Sequence, residues 1–125
     1  MCGIFGGHHE LLQQQPDELL KHRGPDQSGQ VEFIDRRSRP FVFGCTRLNV
    51  VDHHDISVPF QAAGATIVYN GEVYNWRSLR TELESYGVRF ETQTDTEVVL
   101  HAYLVWGSDC LNKFNGMFAI AIWKD

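Results

Sequence analysis

The chain has 125 residues, 42% of them hydrophobic and 22% charged, enough for one domain with a two-layer core. A formal net charge of -5 gives no general attraction for nucleic acid or an anionic membrane surface. No apolar run is long enough to span a bilayer, and the start lacks the basic and apolar stretches of a secretory signal. The three cysteines, Cys2, Cys45 and Cys110, are odd in number and unrelated in spacing. They suggest neither a disulfide framework nor a zinc ribbon, and they suit a reducing cytoplasm.

The first stretch, Met1-Cys2-Gly3-Ile4-Phe5-Gly6-Gly7, puts a cysteine directly after the start methionine. Methionine is readily trimmed before a small side chain, which would leave one residue carrying both a thiol and a free α-amine. An ordinary thiol titrates near ~8.5 and an ordinary α-amine near ~7.7–8.0, so the amine can accept the thiol proton. Nucleophile and base would then come from one residue. Ile4 and Phe5 are expected to anchor a short strand, with Gly3, Gly6 and Gly7 leaving room for a substrate.

Residues 8–15 are polar. Pro16 can open a short helix, which His22-Arg23-Gly24-Pro25-Asp26 ends with turn chemistry. Gln30 to Asp35 alternates as a strand, Arg36 to Pro40 reads as a solvated hairpin tip, and Phe41 to Leu48 as the next strand. Residues 49–60 read as a loop containing Asp52-His53-His54-Asp55. As metal ligands these four have little support without a closed ligand set.

Thr66 to Tyr69 is an apolar strand running into the turn signal Asn70-Gly71. Asn75 is the expected N-cap of a helix that faces Trp76, Leu79, Leu83 and Tyr86 inward and closes at Gly87. Val88 to Glu91 is the length of a short strand. Thr94 and Glu97 match a capping box, and the helix they open is expected to bury Val98, Val99, Ala102, Val105 and Trp106. A short helix through Leu111 and Phe114 follows. Met117 to Trp123 is almost wholly apolar and suits a strand covered on both faces. It stops at Lys124-Asp125, so a domain cut short, or one completed by another chain, is expected.

Several stretches now form one pattern: Met-Cys-Gly-Ile-Phe-Gly, His22 to Asp26, Arg47 to Asp52, Asn70-Gly71-Glu72-Val73-Tyr74-Asn75, Thr94-Asp95-Thr96-Glu97, and Gly116 to Ala119. In this order they resemble the glutaminase domain of class II glutamine amidotransferases, and most nearly the glutamine-hydrolysing asparagine synthetases. The resemblance covers residues 1–125. It implies an α+β, N-terminal-nucleophile hydrolase fold: a four-layer αββα sandwich with antiparallel sheets, its C-terminal part missing.

The resemblance also implies roles. Cys2 would attack the side-chain amide carbon of glutamine, and the Asn70 amide with the Gly71 backbone N–H would hold the oxyanion. Arg47 would clamp the α-carboxylate and Asp95 the α-ammonium, while Leu48, Asn49, Val50, Val51 and Glu72 would line the glutamine pocket. Asp95 can equally cap its helix, and Asn-Gly can equally be a plain turn. Two positions depart from the family pattern: Cys45 stands where His is usual, and Val58-Pro59 where Gln-Pro is usual.

The expected partners are glutamine and a synthetase domain on this or another chain, with no nucleic acid and no membrane. A homodimer is compatible with the resemblance. No cofactor or metal is expected in this domain. ATP and Mg belong to a synthetase domain, since no Ser-Gly-Gly-type pyrophosphate loop occurs here. The predicted activity is glutamine hydrolysis through a γ-glutamyl thioester, supplying ammonia to an ATP-dependent amidation in the cytoplasm. The competing readings are a non-catalytic glutamine-binding regulatory module and a metal protein using Cys2, Cys45 and the paired histidines.

Overall fold

The structure, a computed structural model, describes residues 2–12, 15–49 and 56–124. Two three-stranded antiparallel sheets stack on each other. The first contains β1 (Gly3–His8), β2 (Gln27–Ile34) and β3 (Pro40–Arg47), in the order β1-β3-β2. The second contains β4 (Phe60–Ala62), β5 (Ala65–Val73) and β6 (Gly116–Lys124), in the order β4-β5-β6. Helix α1 (Pro16–Leu20) lies outside the first sheet, where a Cβ on Gly3 would meet the Leu20 Cβ at 2.8 Å. Helices α2 (Trp76–Ser85) and α3 (Asp95–Trp106) cover the second. The expected αββα layering is the one found. Among the described residues, no helix is long and apolar enough to cross a membrane.

Strand alternation builds two cores. Between the sheets, Phe43, Cys45 and Val68 pack with Ile4, Val31, Phe33 and Trp123, the Phe33 and Trp123 rings stacking at 4.8 Å. On the other side of β5, Ile67, Tyr69 and Val73 meet Trp76, Leu79 and Leu83 of α2 and Val98, Val99 and Ala102 of α3. Helix α2 ends in a Schellman motif, with Gly87 N–H donating to Glu84 O at 2.9 Å and Val88 N–H to Leu83 O at 3.2 Å.

Several expectations need correction. Asn70-Gly71 is not a turn: β5 runs through both, and Gly71 pairs with Phe118 of β6. The hairpin turn lies earlier, at Ala63-Gly64, whose φ angles of 50° and 74° give the doubly positive backbone of a tight two-residue connection. That turn joins β5 to β4, which falls at the end of the expected 49–60 loop. Asn75 does not cap α2 with its side chain. Instead its Nδ2 donates to Lys113 O at 2.9 Å and its Oδ1 accepts from Asn115 N at 2.9 Å, tying the helix start to the entry of β6.

Thr94 does cap α3 by accepting from Glu97 N, but Glu97 reaches past Thr94 to Glu91 N and Thr92 N. Residues 88–91 form no strand, β2 begins at Gln27, and Tyr86 (63% exposed) and Val105 (39%) face outward, while Leu100 is buried. β6 is only half-covered, with Met117 73% exposed, and among the described strands it pairs with β5 alone.

Leu83 is fully buried between α2, α3 and the second sheet. Leu83→Ala is expected to destabilise the fold by about 2–5 kcal/mol, the range for an unfilled core cavity, as read from the urea midpoint at unchanged slope.

Candidate active site

The strand register positions the first half of the site. β1 runs antiparallel to β3 with Gly3 opposite Thr46, so Cys2, just ahead of β1, lies beside Arg47 at the end of β3. Buried Thr46 fastens this end: its Oγ1 accepts from Gly3 N at 3.1 Å and donates to Leu20 O at 3.1 Å.

The His22 to Asp26 loop, whose role the sequence left open, braces the same corner. Arg23 Nε donates to the Cys2 carbonyl at 3.1 Å, and Asp26 N donates to Arg47 O at 3.1 Å. Asp26 Oδ2 accepts from Asn49 N at 2.8 Å. Gly24 packs so closely that a Cβ there would lie 2.5 Å from Arg47 N, so only glycine allows this approach.

The second sheet supplies the facing wall. Asn70 and Gly71 sit inside β5, and none of the side-chain hydrogen bonds among the described residues uses the Asn70 amide. Gly71 has φ 149°, and a Cβ on it would lie 2.1 Å from Met117 O of β6. A side chain at this position is therefore excluded by both backbone conformation and space.

Asp95 is the first residue of α3. Its Oδ2 accepts from Tyr69 Oη at 2.7 Å and Val73 N at 3.2 Å, both on β5. Burial first, and the Asp95 charge second, push the Tyr69 hydroxyl far above its ordinary range, so it remains a donor.

These elements enclose one cavity of about 550 Å³. Of the sequence-predicted site residues, it brings together Cys2, Arg47, Leu48, Asn70, Gly71, Glu72 and Asp95. Asn49 is held by Asp26 and is not among the lining residues. Val50, Val51 and the Asp52 to Asp55 stretch lie outside the described residues. Gly3, Gly6 and Gly7 do not line the cavity. The space beside Gly3 is filled by Leu20 and Thr46, and that beside Gly6 by Phe43.

The sequence reading missed Tyr69, Thr94, Thr96 and Phe118 as lining residues. Tyr69 was legible only as one more apolar residue of a strand. His8 sits at the far end of β1 from Cys2, within 3.8 Å of Asp35, and His9 pairs with Glu32 at 3.0 Å.

Cys45 behaves as a small core side chain. It is 5% exposed, and burial pushes its thiol up to about 12, with the neighbouring Cys2 adding to the shift and Arg47 opposing it. Val58, the other departure from the family pattern, also lines the cavity.

A thiol, a cation on β3, an anion on α3 and an amide on β5 thus surround one cavity. The chain belongs to the glutamine amidotransferase domain family, whose description matches residues 1–125. It is 37% identical to asparagine synthetase [glutamine-hydrolyzing] 3 of Bacillus subtilis, across 100% of this chain and 22% of that protein. It is 35% identical to asparagine synthetase B [glutamine-hydrolyzing] of Escherichia coli, across 98% of this chain and 23% of that one. The chain thus spans about a fifth of the length of these relatives. A glutamine phosphoribosylpyrophosphate amidotransferase from B. subtilis superposes with a TM-score of 0.68 at 19% identity, covering 98% of this chain and 34% of that one. At that identity the likeness speaks to the fold alone, two stacked antiparallel sheets with helices outside.

The Cys45 geometry gives a labelling and a pH prediction. At about pH 8 a small alkylator should modify Cys2 in the native protein and reach Cys45 only after denaturation. Because the Cys45 thiol is raised above the ordinary range, the folded chain keeps a proton that the unfolded chain releases. Its stabilising contribution is complete below about pH 9 and is lost as pH rises toward about 12. Urea midpoints should fall across that window, and less steeply in Cys45→Ala.

Proposed function

We propose that this domain hydrolyses glutamine to glutamate and ammonia, with Cys2 as the nucleophile once Met1 is removed. The Cys2 thiol gives its proton to its own α-amine, and Sγ bonds to the side-chain amide carbon. The resulting oxyanion is held by the Asn70 amide and the Gly71 N–H. The C–N bond then breaks, and the leaving nitrogen takes the proton and departs as ammonia. Water next cleaves the γ-glutamyl thioester, releasing glutamate and restoring the thiol. Arg47 pairs with the substrate α-carboxylate and Asp95 with its α-ammonium, fixing the amide over Cys2.

The observation that carries this reading is the single cavity shared by Cys2, Arg47, Asn70, Gly71 and Asp95. That the relatives are glutamine-hydrolysing asparagine synthetases supports a synthetase as the ammonia's destination, with aspartate the candidate acceptor; ATP and Mg are proposed for that synthetase and not for this domain. In the full-length protein, Cys2→Ala should abolish glutamate release from glutamine. Asn70→Ala should lower kcat by about 10²–10³, the usual loss for one oxyanion donor. Intact mass should show Met1 removed and one adduct of a glutamine-mimicking alkylator on Cys2. Glutamine binding without glutamate formation would instead establish a sensing module, and full activity in Cys2→Ala would overturn the mechanism.

A further inference from the structure

We propose that Tyr69 is a positioning residue for substrate recognition: its hydroxyl locks Oδ2 of Asp95, leaving Oδ1 to meet the α-ammonium of the substrate. The inference rests on the glutamine reading above and adds a residue to it. A carboxylate at the first position of a helix is ordinarily drawn toward that helix's own free N–H groups. Asp95 instead accepts its bonds from β5, the Tyr69 hydroxyl at 2.7 Å and Val73 N at 3.2 Å, both on the same oxygen. Among the described residues, Oδ1 accepts no hydrogen bond.

Tyr69 is itself rigid. It is 9% exposed, packed in the core with residues of α2 and α3, and among the residues that line the cavity. A buried phenol needs an acceptor, and an ionised carboxylate is the strongest available. A Phe here would fill the same space but leave Oδ2 with Val73 N alone, and the carboxylate free to turn toward its helix. The next residue on the same strand is Asn70. One stretch of β5 therefore carries both the support for the ammonium's acceptor and the amide donor proposed for the reacting end.

The test is Tyr69→Phe in the full-length protein, assayed with glutamine and with its α-desamino analogue, 4-carbamoylbutanoate. For glutamine we expect KM to rise roughly 10–100-fold, the loss typical of one hydrogen bond to a charged group, with kcat nearly unchanged. The analogue has no ammonium, so its kcat/KM should hardly move. In an Asp95→Asn background, Tyr69→Phe should add nothing further, because the hydroxyl acts through that carboxylate. Equal losses for both substrates, or an undiminished loss on top of Asp95→Asn, would mean that Tyr69 is only core packing. Calorimetry in a Cys2→Ala background separates this from the parent reading. Glutamine binding that Tyr69→Phe weakens supports the inference even if the wild type forms no glutamate. No glutamine binding to the Cys2→Ala protein overturns both.

Discussion

The site depends on one register, the antiparallel pairing of β1 with β3. With Gly3 opposite Thr46, the residue before one and the residue after the other, Cys2 and Arg47, are brought side by side. A slip of β1 by one residue would send its side chains, Cys2 with them, to the opposite face of the sheet. Thr46 guards against this. Its buried hydroxyl is used in both directions, toward Gly3 N and Leu20 O, so a shifted strand would leave polar groups unpaired in the core. The Arg23 to Asp26 loop reads the same register from outside, holding the Cys2 carbonyl and the Arg47 carbonyl together. The proposed nucleophile lies just ahead of a strand, at the start of the chain, where a chain normally frays. Here it is fastened at its own carbonyl and at the next amide.

The opposite wall uses a different device. β5 carries the proposed donors on a strand buried against both layers, and it uses glycine where a neighbouring backbone comes too close for a side chain. Gly71 is set against Met117 and Phe118 of β6 in a conformation other residues rarely adopt. Its cost is conformational entropy in the unfolded chain, offset by burial of the strand on either side of it.

Most of the layering was legible in the sequence because it rests on periodicity. Strands at 30–35, 41–48 and 66–69, and helices opened by Pro16 and Thr94, all have their counterparts in the fold. The site was legible through ordered motifs, and most of the residues they named line one cavity. What the sequence misread follows from physics that acts at long range. Asn-Gly is a good local turn signal, yet pairing with β6 holds it extended. Asn75 is a good local cap, yet its amide finds better partners in Lys113 and Asn115, 38 and 40 residues on. Tyr69 looked like core because it is core. Its second use is visible only once α3 lies across β5, since the bond to Asp95 spans 26 positions of sequence.

Two carboxylates two residues apart then take opposite parts. Glu97 is 1% exposed, and burying a charge so completely costs several kcal/mol unless it is well bonded. It is: Oε1 accepts from Glu91 N at 2.8 Å, and Oε2 accepts from Thr92 N at 2.7 Å and Thr92 Oγ1 at 2.6 Å. With its acceptor capacity spent on the loop that enters α3, Glu97 holds that loop in one shape. Asp95, on the same turn of helix, is satisfied on one oxygen only and borders the cavity. A saturated carboxylate has nothing left for a substrate, and an unsupported one would have no fixed direction. The pair divides these needs: Glu97 sets the helix start, and Asp95 extends from that fixed base with one oxygen anchored to β5 and the other uncommitted among the described residues.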